Sequence, residues 1–488
     1  MADYDLAIIG GGLNGVSVAR DAAGRGLRVI LLEQGDLGGA ASQATSRMIH
    51  GDLAVLERWR FRRVRAALAE REIWLKIAPH LVRPMRFVIP AHADERPPWL
   101  LRAGLLLYDR LAARGLPPSA TVDVTHHPVG NALKRPFGTA FEYSDCVVDD
   151  SRLVIANAVD AAERGAIIRT GARCVRADRT EIWRLAAIDR GHRQVITARA
   201  LANASGAWTS FVAETVLRMS PWKAGTGQIS QIVVRRLFDT DNVYVFQNAD
   251  RRLIYACPFE RDFTLIGSVG HAFKGDPAVV AIAAGDVAYL CDAANRYFRE
   301  RIDASDVIRT FSGANLVTNP RRAARDGTMM FDTRRRKAPL LTIFGGDVTT
   351  SRWRAERAVS ELTPFYPMSP RWTATKPLPG GDFAWDRFEI EVERARERWR
   401  FLSEPEAQRL VAAYGTRLEA ILGDAKGRAD LGSAFGPELT GAEVRYLMAK
   451  EWARFPDDIL WRRSKLGLTM PPADRDALAK FMAGAAPG

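Results

Sequence analysis

The stretch "YDLAIIGGGLNGVSVARDAAGRGLRVILLEQ", from Tyr4 to Gln34, decides the fold of this chain. A short apolar strand is predicted before glycines in G-x-G-x-x-G spacing, at Gly10, Gly12 and Gly15, and a helix is predicted directly after them. A second apolar strand then ends in Glu33, eighteen residues after the last of these glycines. This order of strand, glycine-rich turn, helix and strand predicts a dinucleotide-binding βαβ unit.

Each position of the fingerprint has a mechanical reason. The first glycine allows a tight turn, the second lets backbone approach a pyrophosphate, and the third lets the helix sit close on the strand. The N-terminus of the helix offers unpaired N–H groups to phosphates, and Glu33 can bind a ribose hydroxyl. The small-residue segment at 38–47 is typical of FAD-binding folds. NAD enzymes begin in the same way, so the fingerprint alone leaves both dinucleotides open.

Length and charge narrow the class of protein further. The chain has 488 residues, which exceeds one compact core and predicts two or three domains. Its net charge is +13, from 70 Lys and Arg against 57 Asp and Glu, and a basic balance favours anionic partners such as phosphorylated metabolites or acidic lipids. No nucleic-acid-binding motif is legible, so no nucleic-acid partner is expected.

The cysteines and the apolar segments indicate in which cellular compartment the protein is expected. Four scattered cysteines without a C-x-x-C pair indicate a reducing cytoplasm and no metal site. The N-terminus enters the first strand directly, so we expect no secretion signal. The most apolar segment, 97–115, is interrupted by charges and cannot span a bilayer. It is predicted to be an amphipathic helix, packed either on the core or on a membrane surface.

Further segments carry a resemblance to a known family. They include "FRRVRAALAEREIWLKIAPHLVRPMRFVIP" (61–90), "FEYSDCVVDDSRLVIANA" (141–158), "NASGAW" (203–208), "PLLTIFGG" (339–346) and "AEVRYLMAKEWARFPDDILWRRSKLGL" (442–468). Together with the fingerprint they resemble the FAD-dependent glycerol-3-phosphate dehydrogenases, a family that includes erythritol-phosphate dehydrogenases. The resemblance runs in order from about residue 4 to residue 468.

The resemblance implies the fold class and the domain order. It implies an α/β fold with a Rossmann-like FAD-binding domain, an inserted antiparallel-sheet substrate cap and a C-terminal α-helical domain. We place the discontinuous FAD-binding domain at 1–361, with the cap inserted at approximately 80–145 and 216–305. Independently, five prolines within 362–382 predict a linker. Residues 383–488 are patterned as helices.

The resemblance also implies activity and partners. Family members pass a hydride from a secondary alcohol carbon of a small-molecule substrate to the flavin of FAD, and then pass electrons to a membrane quinone or, in the oxidase branch, to oxygen. Quinone-linked members lie on the inner membrane surface, which fits the basic charge here. We therefore expect a cytoplasmic protein that is peripheral at the inner face of the cell membrane. Its oligomeric state is left open.

Matching motifs carry site residues over to this chain. A histidine that opens a helix is by itself more often a cap than a base, but the match favours His50 as a flavin-side catalytic residue, with Arg325 as a retained cation and Asp347 as the third catalytic position. The residues implied to bind FAD are Gly10, Gly12, Gly15, Glu33, Ser42, Ser46, Arg47, Ser205, Gly206, Trp208, Gly345, Gly346 and Thr349.

Several positions depart from the family pattern, and they fall where the family binds substrate. The family's "HGGLRYLE" is "HGDLAVLE" here, and its "KGSH" is "QISQ". Its "SGVRPL" is "SGANLV", and its "FGGKLTT" is "FGGDVTT", which places Asp347 where lysine is expected. The altered positions that we predict to line a substrate pocket are Ala54, Val55, Gln231 and Asn315. Each lost charge-assisted hydrogen bond would weaken phosphate binding by about 1.5–3 kcal/mol.

Three hypotheses follow for function. The favoured one is an FAD-dependent dehydrogenase or oxidase that acts on a substrate other than glycerol 3-phosphate, with Asp347 available to a cationic amine. The second is conventional glycerol-3-phosphate or polyol-phosphate dehydrogenation, with cations supplied from Arg47, Arg321 or Arg322. The third is an FAD-binding protein without redox turnover that has an interaction or regulatory role.

Overall fold

The structure is a computed structural model that describes residues 2–91, 96–111, 115–134, 138–221, 225–248, 250, 252–317 and 329–485. Within these ranges the side chains of residues 54, 57, 58 and 317 are not described. The predicted catalytic residue Arg325, together with Arg321 and Arg322, lies outside the described residues, and for Ala54 only the backbone is described.

The described strands and helices occur in the following order along the chain. The strands are β1 (Tyr4–Ile9), β2 (Val29–Glu33), β3 (Met48–Ile49), β4 (Val82–Pro90), β5 (Ala120–Asp123), β6 (Thr139–Val148), β7 (Ile167–Thr170), β8 (Ala172–Arg179), β9 (Trp183–Asp189), β10 (His192–Asn203), β11 (Gly225–Arg235), β12 (Val243–Gln247), β13 (Leu253–Phe259), β14 (Phe263–Phe273), β15 (Arg309–Val317), β16 (Met329–Asp332), β17 (Leu340–Ile343), β18 (Ala434–Phe435) and β19 (Leu439–Thr440). The helices are α1 (Leu13–Gly24), α2 (Phe61–Ile77), α3 (Pro98–Leu111), α4 (Asp150–Glu163), α5 (Thr209–Phe211), α6 (Ala284–Tyr297), α7 (Ser351–Ser360), α8 (Phe388–Arg398), α9 (Glu404–Tyr414), α10 (Glu419–Leu422), α11 (Gly441–Lys450) and α12 (Pro472–Ala485).

The first sheet is the Rossmann-like sheet. Its strand order is β16-β17-β10-β1-β2-β7, and it is parallel from β17 to β7. Strands β1 and β2 are continuous apolar runs because helices cover one face of the sheet and side chains of β8 and β9, among them Cys174 and Trp183, cover the other. Helices α1, α4 and α7 share one apolar core with these strands. An antiparallel meander of β8 and β9 extends β10 on the same sheet.

The second sheet matches the predicted cap. Its order is β15-β11-β14-β13-β12-β4-β6-β3, with β5 paired to β6. All described pairs are antiparallel except β4 with β12, so the sheet is mixed at one seam rather than wholly antiparallel. This seam joins two segments that are far apart in sequence, which no local pattern could predict. Strand β15 also belongs to this sheet, beyond the predicted 216–305 segment.

The C-terminal part is helical, as predicted. Helices α8 to α12 enclose an apolar core of their own, and β18 and β19 form a small hairpin beside it. The proline-rich segment before them lies on α1, where Trp372 donates its indole N–H to the carbonyl of Asp21 and the Arg20 guanidinium lies 4.9 Å from its ring. The fold class is therefore confirmed, and the proposed domain boundaries stay a prediction.

None of the helices within the described ranges is both long enough and apolar enough to cross a bilayer.

His80, directly before β4, makes the stability of this fold depend on pH. Its side chain is 1% exposed, packs against Phe383 across the domain junction, and has no hydrogen-bond partner for Nδ1 among the described residues. Burial, together with the charges of Arg152 and Arg417, lowers the pKa of His80 to about 3. The unfolded chain takes up a proton near pH 6.5 and the folded chain does not, so stability is lost as pH falls from about 6.5 toward 3.

We expect His80→Gln to flatten this acid dependence. In the native chain the His80 contribution changes the free energy of unfolding by roughly 1.4 kcal/mol per pH unit over that window. Urea unfolding between pH 7 and pH 4.5 measures the slope. The matched control is His126→Gln, because the His126 side chain is 88% exposed and its removal should leave the slope unchanged. Equal slopes for His80→Gln and the native chain would contradict the assignment.

Candidate active site

A cavity of about 570 Å³ runs along the C-terminal edge of the Rossmann-like sheet. One end, which we call the adenosine end, is lined by Glu33, the loop after it and the start of β8. The N-terminus of α1 lines the middle. The opposite end, which we call the reaction end, is lined by Thr45, Asn315, Gly346 and Asp347. An elongated cavity of this size suits a dinucleotide more than a compact metabolite.

The fingerprint glycines leave no room for side chains. Gly10 has a φ of +110°, and a Cβ there would lie 2.5 Å from the carbonyl oxygen of Ala204. A Cβ at Gly15 would lie 1.9 Å from the carbonyl oxygen of Gly10, because α1 lies directly on the turn. The α1 N-cap, Gly12, offers no side-chain acceptor, and the first turn holds no acid. The backbone N–H groups there suit a diphosphate, although that of Leu13 already donates to the Ser42 hydroxyl.

Glu33 lies at the adenosine end. Its carboxylate accepts hydrogen bonds from the backbone N–H groups of Gly11 (2.6 Å) and Gly35 (2.8 Å). Burial raises the pKa of Glu33, and these two donors oppose that shift. Each carboxylate oxygen keeps further acceptor capacity for a ribose hydroxyl.

The turn at 203–208 forms another wall of the cavity. Ser205 donates its hydroxyl to the side-chain oxygen of Asn203 (2.6 Å), whose amide in turn donates to the carbonyl of Thr209. Ser205, Gly206 and Trp208 line the cavity, as does Ser42, which accepts the Leu13 N–H at 3.0 Å. Ser46 does not line it.

The turn at Gly345 and Gly346 is held by two side chains that the sequence reasoning missed. Asn14 donates to the carbonyl of Gly345 (3.0 Å) and accepts from Arg354 (2.7 Å). Arg354 also donates to the carbonyl of Asp347 (3.0 Å). The sequence held one signal for this contact, the polar Asn14 inside an otherwise apolar fingerprint. Its partner Arg354 on α7 is 340 residues away, so the pair could not be predicted.

Asp347 begins the segment that leads into α7. Its carboxylate accepts hydrogen bonds from the backbone N–H (2.8 Å) and hydroxyl (2.7 Å) of Thr350. The Arg63 guanidinium, from α2, lies 3.8 Å from the other carboxylate oxygen. Burial raises the pKa of Asp347, but Arg354, Thr350 and Arg63 outweigh it and hold the pKa below its usual value. Asp347 is therefore an ionised carboxylate at the reaction end.

His50 lies beside this same segment. Its backbone N–H donates to the hydroxyl of Thr349 at 3.1 Å, and the Thr349 carbonyl accepts the indole N–H of Trp74 on α2. The imidazole is half-buried. Thr349 thus ties His50 to the turn that carries Gly346 and Asp347, although His50, Thr349 and Gly345 do not themselves line the cavity.

A buried network behind His50 was also missed by sequence reasoning. The N–H of Gly51 donates to the hydroxyl of Tyr108 (2.7 Å), which donates to the carboxylate of Asp145 (2.8 Å). Arg71 donates to the other oxygen of that carboxylate at 2.8 Å. Burial raises the pKa of Asp145, whereas the charges of Arg71 and of a protonated His50 lower it. This network fixes the backbone that follows the candidate base.

The remaining predicted residues divide into two groups. Asn315 lines the reaction end. The side-chain amide of Gln231 donates to the carbonyl of Thr45 at 2.6 Å. The side-chain oxygen of Gln231 is buried and has no hydrogen-bond partner among the described residues. The guanidinium of Arg47 instead lies between the rings of Phe259 and Phe311, and Val55 is 8% exposed within a packed apolar cluster. Their predicted roles in binding stay predictions.

Comparisons with known proteins agree with this geometry. Residues 5–353 match the FAD dependent oxidoreductase family, and residues 371–487 match the C-terminal domain of alpha-glycerophosphate oxidase. The chain is 43% identical over 490 residues to a glycerol-3-phosphate dehydrogenase of Pseudomonas aeruginosa, covering 98% of this chain and 95% of the relative. It is 40% identical over 488 residues to a D-erythritol 1-phosphate dehydrogenase of Brucella abortus, covering 98% and 97%.

A solved structure supports the fold. Glycerol-3-phosphate dehydrogenase from Bacillus halodurans, complexed with FAD, matches with a TM-score of 0.77 at 21% identity, covering 99% of this chain and 91% of that one. The chain belongs to the FAD-dependent oxidoreductase family, in its group of glycerol-3-phosphate and polyol-phosphate dehydrogenases. The predicted cofactor and enzyme class are confirmed, and the glycine turn, the α1 N-terminus and Glu33 fit FAD.

Proposed function

We propose that this enzyme oxidises an alcohol other than glycerol 3-phosphate. The observation that carries the proposal is the ionised Asp347 at the reaction end. The Asp347 side chain is 44% exposed, so solvent screens its charge in part. Two like charges about 5 Å apart then repel by roughly 1 to 3 kcal/mol, between the values for water and for an effective dielectric constant of about 20. A phosphate dianion would meet this repulsion, whereas a neutral or amine-bearing alcohol would not.

The cation that lines this end within the described ranges is bonded to other groups of the protein. Among the described residues that line the reaction end, Arg354 is the cation, and it is bonded to Asn14, to the Asp347 carbonyl and to the Thr350 hydroxyl. Asn315 places a side-chain amide there, but its oxygen accepts the N–H of Leu316 (2.9 Å). The described polar groups of this end therefore favour a substrate without a phosphate.

When bound, FAD supplies the two-electron oxidant. The role proposed for His50 is to accept the substrate hydroxyl proton at its imidazole, because the family resemblance implies a flavin-side histidine at this position. Thr349 and Gly51 hold the His50 backbone in place from either side. The electron acceptor proposed from the family resemblance is a quinone or oxygen.

Conventional polyol-phosphate oxidation is the second candidate, and one contact favours it. Arg63 approaches Asp347 from α2 with a side chain that is 47% exposed, so a cation is present near the position where the family resemblance expects lysine. In that case Asp347 would position Arg63 rather than repel a phosphate. The third candidate, FAD binding without turnover, would show as a bound flavin that no tested alcohol reduces.

Asp347→Asn separates the first two candidates. The amide oxygen can still accept from Thr350, so the turn before α7 keeps this hydrogen bond while the charge is removed. We expect sn-glycerol 3-phosphate to bind the oxidised holoenzyme at least tenfold more tightly, as measured by perturbation of the flavin spectrum. Asp178→Asn, on an exposed strand edge, is the control and should change nothing. Unchanged or weaker binding in Asp347→Asn would favour the positioning role.

We also propose that the enzyme rests on an anionic membrane surface through α3. Helix α3 buries only Leu105 and Tyr108 among its described side chains, and leaves Trp99 72% exposed and Leu106 42% exposed. An exposed apolar helix face in a chain with a net charge of +13 suits the interface of a bilayer that contains acidic lipids.

The double variant Trp99→Ser with Leu106→Ser tests this surface. We expect its co-sedimentation with phosphatidylglycerol-containing vesicles to fall at least fivefold, because the residues that insert among the lipid chains are removed. Val279→Ser is the control, since Val279 is 77% exposed elsewhere on the cap. Undiminished co-sedimentation of the double variant would rule α3 out as the contact.

A further inference from the structure

The loop after Glu33 is held by the C-terminal domain. This loop, 34–38, lines the adenosine end of the cavity. The carboxylate of Asp36 accepts hydrogen bonds from the guanidinium groups of two successive arginines, Arg462 and Arg463, one of them at 2.8 Å. Asp36 and Arg463 have side chains that are 8% and 0% exposed. The ion pairs thus form a buried clamp between the cofactor loop and the helical turn Asp458–Arg463.

A second contact reaches the same loop through β7. Arg454 donates to the carbonyl of Thr170 (3.4 Å), and a Cβ on Gly171 would lie 1.9 Å from the Arg454 guanidinium. The N–H of Gly171 donates to the carbonyl of Gly35 at 3.0 Å. The C-terminal domain therefore contacts both chain segments that flank Glu33.

An aromatic ring completes this end of the cavity. Phe455 is 62% exposed, lines the cavity and follows Arg454, whose guanidinium lies 5.9 Å from the ring. The carboxylate of Asp458 accepts hydrogen bonds from the backbone N–H groups of both Arg454 and Phe455 at 2.8 Å. These bonds hold the backbone that carries the Phe455 ring. Purine bases stack on aromatic faces, and the adenine of a dinucleotide lies beyond the acid that binds its ribose.

We propose that the C-terminal domain is part of the FAD site. Phe455 covers the adenine, and the clamp of Arg462 and Arg463 on Asp36 holds the loop beside the ribose. FAD binding and docking of the C-terminal domain are then thermodynamically coupled, and each strengthens the other by the same factor. Docking does not rest on the clamp alone, because Arg152 and Glu451 form a further buried ion pair across the junction.

The test is titration of the apoprotein with FAD, FMN and AMP. Phe455→Ala removes an exposed ring, and Arg462→Gln leaves Arg463 on Asp36. The same variant removes the ion-pair partner of Asp458, but that carboxylate keeps the backbone N–H groups of Arg454 and Phe455. We expect each variant to raise the Kd for FAD and for AMP at least tenfold and to leave the Kd for FMN, which has no adenosine, unchanged. Glu163→Gln breaks the Arg417–Glu163 pair across the same junction but away from the cavity, and should leave all three unchanged.

Limited proteolysis of the 362–382 segment gives a second readout that does not depend on activity. FAD should slow cleavage of the native chain at least fivefold, and should protect Arg462→Gln less. Unchanged FAD and AMP affinity in both variants, or equal cleavage with and without FAD, would overturn the proposal. An equal loss of FAD and FMN affinity would also overturn it, because it would indicate general damage to the fold.

Discussion

Gly15→Ala is expected to leave the protein unable to retain FAD. The new methyl group would lie 1.9 Å from the backbone oxygen of Gly10, far inside contact distance, so α1 must move away from the β1 turn. The N–H groups at the start of α1 would then no longer face the diphosphate. We expect FAD affinity to fall at least about a hundredfold, roughly 3 kcal/mol of binding free energy. Fluorescence titration of the apoprotein measures the loss.

The matched control is another helical glycine. Gly285, in the first turn of α6, has no atom within 4 Å of the position its Cβ would take. Gly285→Ala should bind FAD as the native chain does, and its helix should be slightly more stable because alanine is the better helix former. A yellow, tightly binding Gly15→Ala protein would show that α1 does not present the diphosphate site.

Asp145→Ala is expected to destabilise the fold more than the other substitutions considered. It removes one of the two carboxylates that pair with the buried Arg71 guanidinium, whose side chain is 2% exposed, and leaves the Tyr108 hydroxyl without its acceptor. Breaking a buried ion pair from one side costs about 3–5 kcal/mol where the remaining charge has no other partner, and because Arg71 keeps Glu72 at 2.8 Å we expect a loss of about 3 kcal/mol, at the lower end of that range. Urea unfolding measures the change, and His50 should become mobile because Gly51 loses its support.

The control for this loss is an exposed pair of the same chemistry. Arg176 and Asp178 lie 2.8 Å apart on β8 with both side chains 45% exposed. Asp178→Ala should leave the urea midpoint unchanged, because solvent replaces the lost contact. Similar midpoints for Asp145→Ala and Asp178→Ala would mean that the network behind His50 contributes no more than a surface pair.

Local patterns predicted the parts of this enzyme that are local in the chain. The glycine spacing, the two apolar strands and Glu33 lie within thirty-four residues, and the structure forms the predicted βαβ unit from them. The proline-rich segment and the helical C-terminal domain could be predicted for the same reason, because their patterns are also local in the chain.

Contacts between distant segments could not be predicted in this way. The Asn14–Arg354 hydrogen bond joins α1 to α7, and the Asp145–Arg71 pair joins β6 to α2. Neither spacing leaves a periodic signal, so the supports of the reaction end became visible only in three dimensions. The burial of Val55 among apolar neighbours could not be predicted for the same reason. Its position five residues after His50 does not indicate which side chains it packs against.

These contacts show how the departure from the family pattern at Asp347 changes the charge of the reaction end. Asp347 is not a free carboxylate, because it accepts hydrogen bonds from Thr350 and lies near both Arg63 and Arg354. Asp347 still gives the reaction end a negative charge. Among the described lining residues, the cation of this end is Arg354, which is already bonded within the protein. The central claim of altered substrate preference depends on that balance.

Anaerobic reduction of the bound flavin tests this claim most directly. Excess sn-glycerol 3-phosphate is added to the purified yellow holoenzyme while flavin absorbance is followed, with dithionite added last. We predict no rapid bleaching by glycerol 3-phosphate and full bleaching by dithionite, with neutral or amine-bearing alcohols as the next donors to test. Rapid bleaching by glycerol 3-phosphate would contradict the claim and would assign the enzyme the substrate in the name of its Pseudomonas aeruginosa relative.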